Sequence, residues 1–207
     1  MKWFVAVSGN IGSGKSTLTT VLSDRLGWTP YYEVVDENPY LPDFYGNMPR
    51  WSFHLQVFFL SKRFQHHQEI VHAPQSVIQD RTIYEDAEIF ARNLYLQGLM
   101  DERDFRSYYD LFNTMMQFLR PPDLVLYLSA SVPTLMERIR HRARDYEQRI
   151  PQAYLEQLND RYAEWIDNFT LCPVLTVDAG ALDLANLDAL IADMQSRLPS
   201  LFPLVER

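Results

Sequence analysis

A glycine-rich stretch near the N-terminus, GNIGSGKST, combines residue types that bind phosphate. Gly9, Gly14, Lys15 and Ser16 fit the pattern G-x-x-x-x-G-K-[ST]. Glycines let backbone N–H groups approach a phosphate closely, while Lys15 can reach the β- and γ-phosphates and Ser16 can ligate Mg²⁺. The stretch therefore predicts a nucleoside triphosphate site; a glycine turn between a strand and a helix is the alternative. The predicted binding residues are Gly9, Asn10, Ile11, Gly12, Ser13, Gly14, Lys15, Ser16 and Thr17.

Three further polar stretches can contribute to the same chemistry. DENPY at 36–40 can supply a base, although Asp, Asn and Pro39 also favour a simple turn. DRT at 80–82 can supply a cation and a carboxylate for Mg²⁺ or its waters. The arginine cluster RIRHRARDYEQR at 138–149 can close over phosphates as a lid, or it can be a solvated helix face.

The elements that must position these stretches alternate between strand and helix patterns. Such alternation predicts a three-layer α/β domain with a parallel sheet of about five strands. Ligands of such sheets lie beyond the carboxyl ends of the strands, so the glycine-rich loop, DENPY and DRT should face one crevice. The predicted strands are 3–7, 31–35, 76–80, 123–129 and 172–178, and the predicted helices are 15–26, 51–71, 84–98, 102–119, 133–143, 152–169 and 183–197.

Composition limits the other possibilities. A chain of 207 residues with 47% hydrophobic residues suits one domain, here taken as 1–207. The net charge of -8 argues against general binding to nucleic acid or a membrane surface. Cys172 is the only cysteine, which excludes an internal disulfide and a cysteine-based metal site. The apolar run at the N-terminus is too short to span a membrane, and no signal-like cleavage site follows it, so we expect a cytoplasmic protein.

The triphosphate can serve several classes of protein. An Asn-Lys-x-Asp run, which reads guanine in GTPases, and a Ser-Gly-Gly-Gln signature of ABC-type ATPases do not occur. A small phosphotransferase fits better, because it needs a base near the acceptor hydroxyl and cations around the transferred group.

Taken in order along the chain, the motifs resemble the deoxynucleoside kinase family, in particular its bacterial deoxyadenosine/deoxyguanosine kinase branch. They are GNIGSGKST, DENPY, WSFHLQVFFLSKR, QDRTIYEDAEIFARNLY and RIRHRARDYEQRIPQAYLEQL. The resemblance implies a P-loop kinase fold with a five-stranded parallel sheet flanked by helices and an arginine-rich lid at about 138–150. It also implies ATP as phosphate donor, Mg²⁺, and a homodimer formed through the helices at 51–71 and 102–119.

The same resemblance implies roles at the reacting end of the site. Glu37 matches the general base that takes the proton from the sugar 5′-hydroxyl, with Asp36 beside it as the alternative carboxylate. Arg81 is expected to orient Glu37 and to contact the phosphate, and Lys15 completes the predicted catalytic set. Asp80 joins Ser16 as a predicted metal ligand. The lid arginines that match contacts to the triphosphate are Arg138, Arg142 and Arg144.

The remaining matches concern the base and the sugar. Gln56 matches the amide that reads the base edge, and Phe90 matches the stacking aromatic, with Trp51 and Phe53 as further walls; plain core is the alternative for Phe90. Arg63 and Asp86 match a polar pair near the base, or else form a surface salt bridge. Tyr45 and Glu147 match the contacts to the sugar 3′-hydroxyl.

These matches favour ATP-dependent phosphorylation of the 5′-hydroxyl of deoxyadenosine, deoxyguanosine or both. Two alternatives stay open. One is a kinase for a pyrimidine deoxynucleoside or a nucleoside monophosphate, and the other is a nucleotide-sensing module without catalysis.

Overall fold

The sheet is the element that organises the fold. The structure is a computed structural model that describes residues 2–33 and 38–198. These residues form a five-stranded, fully parallel sheet, which confirms the predicted architecture. Its strands are β1 (Phe4–Gly9), β2 (Thr29–Tyr31), β3 (Val77–Asp80), β4 (Leu124–Ser129) and β5 (Val174–Asp178).

Strand order brings distant chemical groups together. The order across the sheet is β2-β3-β1-β4-β5, so β1 lies in the centre with β3 on one side and β4 on the other. Val7 is in register with Asp80, and the backbone N–H of Arg81 donates to the Val7 carbonyl at 2.9 Å. The glycine-rich loop after β1 and the Asp80–Arg81 pair after β3 are therefore neighbours, as the carboxyl ends of adjacent parallel strands must be.

Helices cover both faces of the sheet, and strand periodicity decides what each face buries. In β1, Val5 and Val7 pack with Leu18 and Leu22 of the first helix, whereas the intervening Ala6 faces the layer on the other side. In the part of the chain that the structure describes, no helix is both long enough and apolar enough to cross a bilayer. The helices are α1 (Lys15–Leu26), α2 (Leu41–Gly46), α3 (Met48–His72), α4 (Ile83–Glu85), a π-helix (Asp86–Ala91), α5 (Arg92–Leu96), α6 (Glu102–Met116), α7 (Val132–Arg142), a 3₁₀-helix (Glu147–Arg149), α8 (Gln152–Asn168) and α9 (Asp188–Arg197).

Several boundaries differ from the sequence-based predictions. β2 ends at Tyr31, where the predicted strand began, because Thr29 pairs with Val77 at the edge of the sheet, and an edge strand tolerates Pro30. The predicted helix 84–98 is not a uniform α-helix, since the π-helix interrupts it. α9 begins at Asp188 rather than 183, and the short α2 was not predicted.

Candidate active site

A cavity of about 700 Å³ opens at the carboxyl ends of the strands. Among the predicted site residues, Gly9, Asn10 and Arg63 do not line it directly, and Glu37 and Asp36 lie outside the described residues. The cavity therefore joins the phosphate loop, the predicted base-reading residues and the lid in one continuous space. Its lining includes these predicted residues: Ile11, Gly12, Ser13, Gly14, Lys15, Ser16, Thr17, Tyr45, Gln56, Asp80, Arg81, Asp86, Phe90, Arg138, Arg142, Arg144 and Glu147.

The phosphate loop has the backbone that its glycines permit. Gly9 has φ 149°, and a Cβ there would lie 2.8 Å from the Leu128 carbonyl oxygen, so only glycine fits. Lys15, the first residue of α1, is buried, and its ammonium donates to the Asn10 carbonyl at 3.0 Å. Burial, together with the nearby charge of Arg81, lowers the pKa of Lys15 to about 8. The loop thus presents a helix N-terminus and a buried cation, the combination that binds anions.

The Asn10 side chain does not face the cavity, although the residue belongs to the loop. Its amide nitrogen donates to the Leu155 carbonyl at 2.9 Å and to Asn159 Oδ1 at 2.7 Å, both on α8. Its amide oxygen accepts from the Ile11 N–H at 2.7 Å. Asn10 therefore anchors the phosphate loop to α8.

Ser16 and Asp80, the two predicted metal ligands, meet at the base of the loop. The Ser16 hydroxyl donates to Asp80 Oδ2 at 2.5 Å, whereas Asp80 Oδ1 is buried and has no partner among the described residues. Burial raises the pKa of Asp80, although Lys15 favours its ionised form. A hydroxyl and a carboxylate with an unused oxygen are hard oxygen donors, which suit Mg²⁺ bound together with substrate phosphates.

Glu33 is the carboxylate that the sequence analysis missed. It follows β2, lines the cavity, and places Oε1 2.9 Å from Arg63 Nη2 and 2.9 Å from Arg81 Nε. Burial opposes its ionisation, but Arg81 and Arg63 outweigh burial and lower the pKa of Glu33 to about 2. The signal available in the sequence was an acidic residue within the β-prone run 31–35, four residues before Glu37.

Arg81 occupies the centre of the site. Its backbone is left-handed with φ 66°, which is rare for a residue other than glycine. Its guanidinium carbon lies 4.4 Å from the centroid of the Phe90 ring, and its side chain is 4% exposed. A buried arginine stacked on an aromatic ring and paired with Glu33 is held in one orientation.

The predicted polar pair near the base is buried, so the alternative of a surface salt bridge is wrong. Arg63 Nε and Nη2 donate to Asp86 at 3.1 and 3.3 Å, and both side chains are 3% exposed. Burial raises the pKa of Asp86 to about 6, even though Arg63 favours its ionised form. Gln56 is buried nearby on α3, and its Oε1 has no partner among the described residues.

Aromatic side chains line the cavity beside Gln56 and Asp86, but only one of the three predicted aromatic residues is among them. Phe90, from the π-helix, lines the cavity as expected. Trp51 and Phe53 are absent from the lining within the described part of the chain; Trp51 instead packs against Tyr40, with the ring centroids 5.8 Å apart. Both residues pack against the hydrophobic core, and the residues of α3 that line the cavity are Leu55, Gln56 and Phe59. The aromatic lining residues that were not predicted are Tyr32, Phe44, Phe59, Tyr146 and Tyr154.

The predicted sugar and lid residues come together on the other side of the cavity. Tyr45 stacks on Tyr146, with centroids 6.1 Å apart and an interplanar angle of 9°. Glu147 is buried and accepts from Arg142 Nε at 2.9 Å and Nη2 at 2.6 Å, and it lies 3.5 Å from Arg144 Nη1. Glu147 would therefore compete with a bound phosphate for Arg142 and Arg144.

Arg138 is held differently from the other two lid arginines. It donates from Nη1 to the Ser13 carbonyl at 2.8 Å and from Nη2 to the Ala179 carbonyl at 2.7 Å. It thus ties the phosphate loop to the segment after β5, which also lines the cavity.

A phosphate loop, buried arginines and an amide-lined pocket within one parallel α/β domain define a phosphotransferase with a small organic acceptor. A family model described as "Deoxynucleoside kinase" matches residues 5–200. The chain belongs to the deoxynucleoside kinase family and is a transferase.

Individual relatives agree with this placement. The chain is 39% identical over 198 residues to the deoxyadenosine/deoxycytidine kinase of Bacillus subtilis (strain 168). The aligned region covers 95% of this chain and 91% of that protein. It is 38% identical over 188 residues to the deoxyguanosine kinase of Lactobacillus johnsonii, covering 86% of this chain and 83% of that protein. The structure of deoxyadenosine kinase from M. mycoides with products dCMP and a flexible dCDP bound superposes with a TM-score of 0.84 at 32% identity, covering 93% of this chain and 98% of that chain.

Proposed function

We propose that this protein transfers the γ-phosphoryl group of ATP to the 5′-hydroxyl of deoxyadenosine, deoxyguanosine or both. One observation carries the proposal: the phosphate loop shares a single cavity of about 700 Å³ with the buried Gln56 and with the buried Asp86, which Arg63 holds from behind the lining. A volume of this size suits a ligand with both an apolar body and a few polar contacts. The loop provides the donor side, and the aromatic-walled pocket provides the nucleoside side.

The choice of base depends on Gln56 and Asp86. The unpartnered Gln56 oxygen can accept from an exocyclic amine, and its amide nitrogen can donate to a ring nitrogen, as adenine requires. Asp86, held by Arg63, can accept a further hydrogen bond. Deoxycytidine also offers an amine beside a ring nitrogen, so it is the second candidate substrate. A nucleoside monophosphate fits less well, because the buried cations belong to the phosphate-loop side or pair with carboxylates.

We assign the general base to Glu33 rather than to Glu37. As the sugar 5′-oxygen bonds to the γ-phosphorus, the bond from that phosphorus to the β–γ bridging oxygen breaks, and the hydroxyl proton passes to Glu33. Glu33 is ionised at neutral pH because of Arg81 and Arg63, and a carboxylate of low pKa first orients the hydroxyl. Proton transfer then follows as the new bond forms, which suits the loose transition state of phosphoryl transfer.

Cations would stabilise the negative charge of the phosphates during the transfer. Lys15, buried in the phosphate loop, would contact the β- and γ-phosphates, and Arg81, which pairs with Glu33, would contact the transferred group. Mg²⁺ bound by Ser16 and Asp80 would neutralise phosphate charge. The lid at about 138–150 would add arginine contacts, for which Arg142 must exchange Glu147 for a phosphate oxygen.

The experiment is incubation of the purified protein with ATP, Mg²⁺ and each of the four deoxynucleosides, followed by chromatography for the monophosphate. We expect product from deoxyadenosine or deoxyguanosine with the highest kcat/KM, and none from the Lys15→Ala control. Highest kcat/KM for deoxycytidine or thymidine would refute the purine assignment. Triphosphate binding without any product would identify a sensing module instead.

Assembly and location complete the proposal. We propose a cytoplasmic homodimer that associates through α3 and α6. Beside this pair, Phe118 is 70% exposed and Leu111 of α6 is 39% exposed. Leu111 lies on α6 and Phe118 two residues beyond its end, and exposed apolar side chains along one element are typical of an interface.

A further inference from the structure

Glu85 is a fully buried carboxylate outside the cavity lining, and it connects three segments of the site. Its Oε1 accepts from the Gly9 N–H at 3.2 Å, in the phosphate loop. Its Oε2 accepts from the Ser8 hydroxyl at 2.9 Å and from the Thr82 N–H at 2.8 Å. The capping box at the start of α4 requires only Thr82, so the contacts to β1 and the loop go beyond helix capping.

Tyr162, from the middle of α8, joins the same group. Its hydroxyl oxygen lies 2.8 Å from Arg81 Nη1, which donates to it, and 2.8 Å from both the Gly9 carbonyl and Glu85 Oε1. The residue has no exposed surface, and its ring stacks on Tyr127 with centroids 5.7 Å apart. One hydroxyl therefore links the guanidinium of Arg81 to the first glycine of the phosphate loop.

The backbone of Arg81 needs such support. A left-handed conformation at a residue with a Cβ persists only where the surroundings determine it, and this one lies next to the proposed base. The guanidinium is fixed on one edge by Glu33 at 2.9 Å and on the other by Tyr162 and by Glu85, whose Oε1 is 3.7 Å from Nη1. Removing the contacts on one edge leaves the guanidinium of Arg81 free to rotate about the contacts on the other edge.

We propose that Glu85 and Tyr162 are positioning residues for phosphoryl transfer, which set the orientation of Arg81 relative to the phosphate loop. This inference rests on the proposed function. Neither residue lines the cavity, so each acts through Arg81 and Gly9. A displacement of about 1 Å in a group aimed at the reacting phosphate can cost on the order of 100-fold in rate, so one hydroxyl far from the nucleoside can control turnover.

The test is Tyr162→Phe, which removes the hydroxyl and keeps the buried ring. The matched control is Tyr84→Phe, since Tyr84 is also buried, precedes Glu85, and has a hydroxyl without a partner among the described residues. We expect kcat to fall about tenfold in Tyr162→Phe, with the KM of the deoxynucleoside unchanged within about twofold, because the contact is made to the phosphoryl-transfer side. Equal kcat values in the two variants would overturn the proposal.

A double-mutant cycle separates positioning from a general loss of stability. In an Arg81→Lys background the donor to Tyr162 is gone, so adding Tyr162→Phe should cost less than about twofold further in kcat. Fully additive losses would show that Tyr162 acts independently of Arg81 and would refute the inference. Glu85→Gln, which keeps the shape but removes the charge, should follow the same pattern.

The affinity for ATP is a second readout, and it tests the same inference without a deoxynucleoside. The affinity for ATP, measured by fluorescence titration, should weaken in Tyr162→Phe relative to Tyr84→Phe, and the Arg81→Lys background should again suppress the difference. If wild-type protein phosphorylated no deoxynucleoside, the proposed function would fail, whereas this titration would still decide between coupling and independence. Unchanged ATP affinity together with additive kcat losses contradicts the positioning role.

Discussion

Replacing Glu33 with glutamine probes the centre of the proposed mechanism. The substitution keeps the size of the side chain but removes the charge that faces two buried guanidinium groups, with Oε1 2.9 Å from both Arg63 and Arg81. It therefore removes the base, and it also leaves two arginines with one carboxylate fewer in a site of low polarity.

The magnitudes follow from the pKa. The difference between about 2 and the usual 4.5 corresponds to on the order of 3 kcal/mol of stability at pH 7, an upper value because the side chain of Glu33 is 18% exposed. The folded pKa is lowered, so this stabilisation is complete above about pH 4.5 and is lost as the pH falls toward about 2. Loss of a positioned base should lower kcat by about 10²- to 10⁴-fold.

The assay compares Glu33→Gln with Glu37→Gln at saturating ATP and deoxynucleoside, together with urea unfolding at pH 7. We expect the first variant to lose turnover and stability, and the second to keep turnover within about threefold of wild type, because the proposed mechanism gives Glu37 no part in the transfer. Wild-type-like kcat in Glu33→Gln, with loss of turnover in Glu37→Gln, would refute the assignment and return the role to Glu37.

Three further predictions concern the pocket and the surface. Gln56→Ala should raise the KM of the purine deoxynucleoside by about tenfold or more and relax the choice of base. The control is Gln79→Ala, which removes an equally buried amide outside the cavity lining and should leave both KM and base choice unchanged. KM values for all four deoxynucleosides test this. Burial raises the pKa of Asp86 to about 6, so protonation below that pH should reduce kcat/KM for the nucleoside, and Asp86→Asn should abolish this acid limb in a pH–rate profile. Phe118→Asp should shift the protein from dimer to monomer in analytical ultracentrifugation, and Leu171→Asp, at a site 52% exposed on the segment after α8, should not.

The fold was accessible from the sequence because local patterns agree with it. The apolar runs of β1, β3 and β4 are bounded by turn or polar residues, and each strand that the pattern predicted exists in the sheet. The predicted boundaries of strands and helices are wrong where long-range contacts determine them. β2 takes its register from β3, and the π-helix around Asp86 has the composition of an ordinary helix, so periodicity gives no sign of it.

The choice between Glu33 and Glu37 shows where sequence reasoning about the site stops. Glu33 lies within the β-prone run 31–35 and Glu37 lies two residues after it, and spacing alone gives no reason to prefer either. The resemblance matched Glu37 within DENPY, although Asn38 separates it from the proline. The contacts that support Glu33 come from Arg63, 30 residues further along the chain on α3, and from Arg81 after another strand. The two arginines keep Glu33 ionised and fix its orientation, and their positions are set by tertiary packing. The order of the parallel strands predicts the edge of the sheet at which the site lies, and the two arginines that contact Glu33 are what support Glu33 as the proposed base.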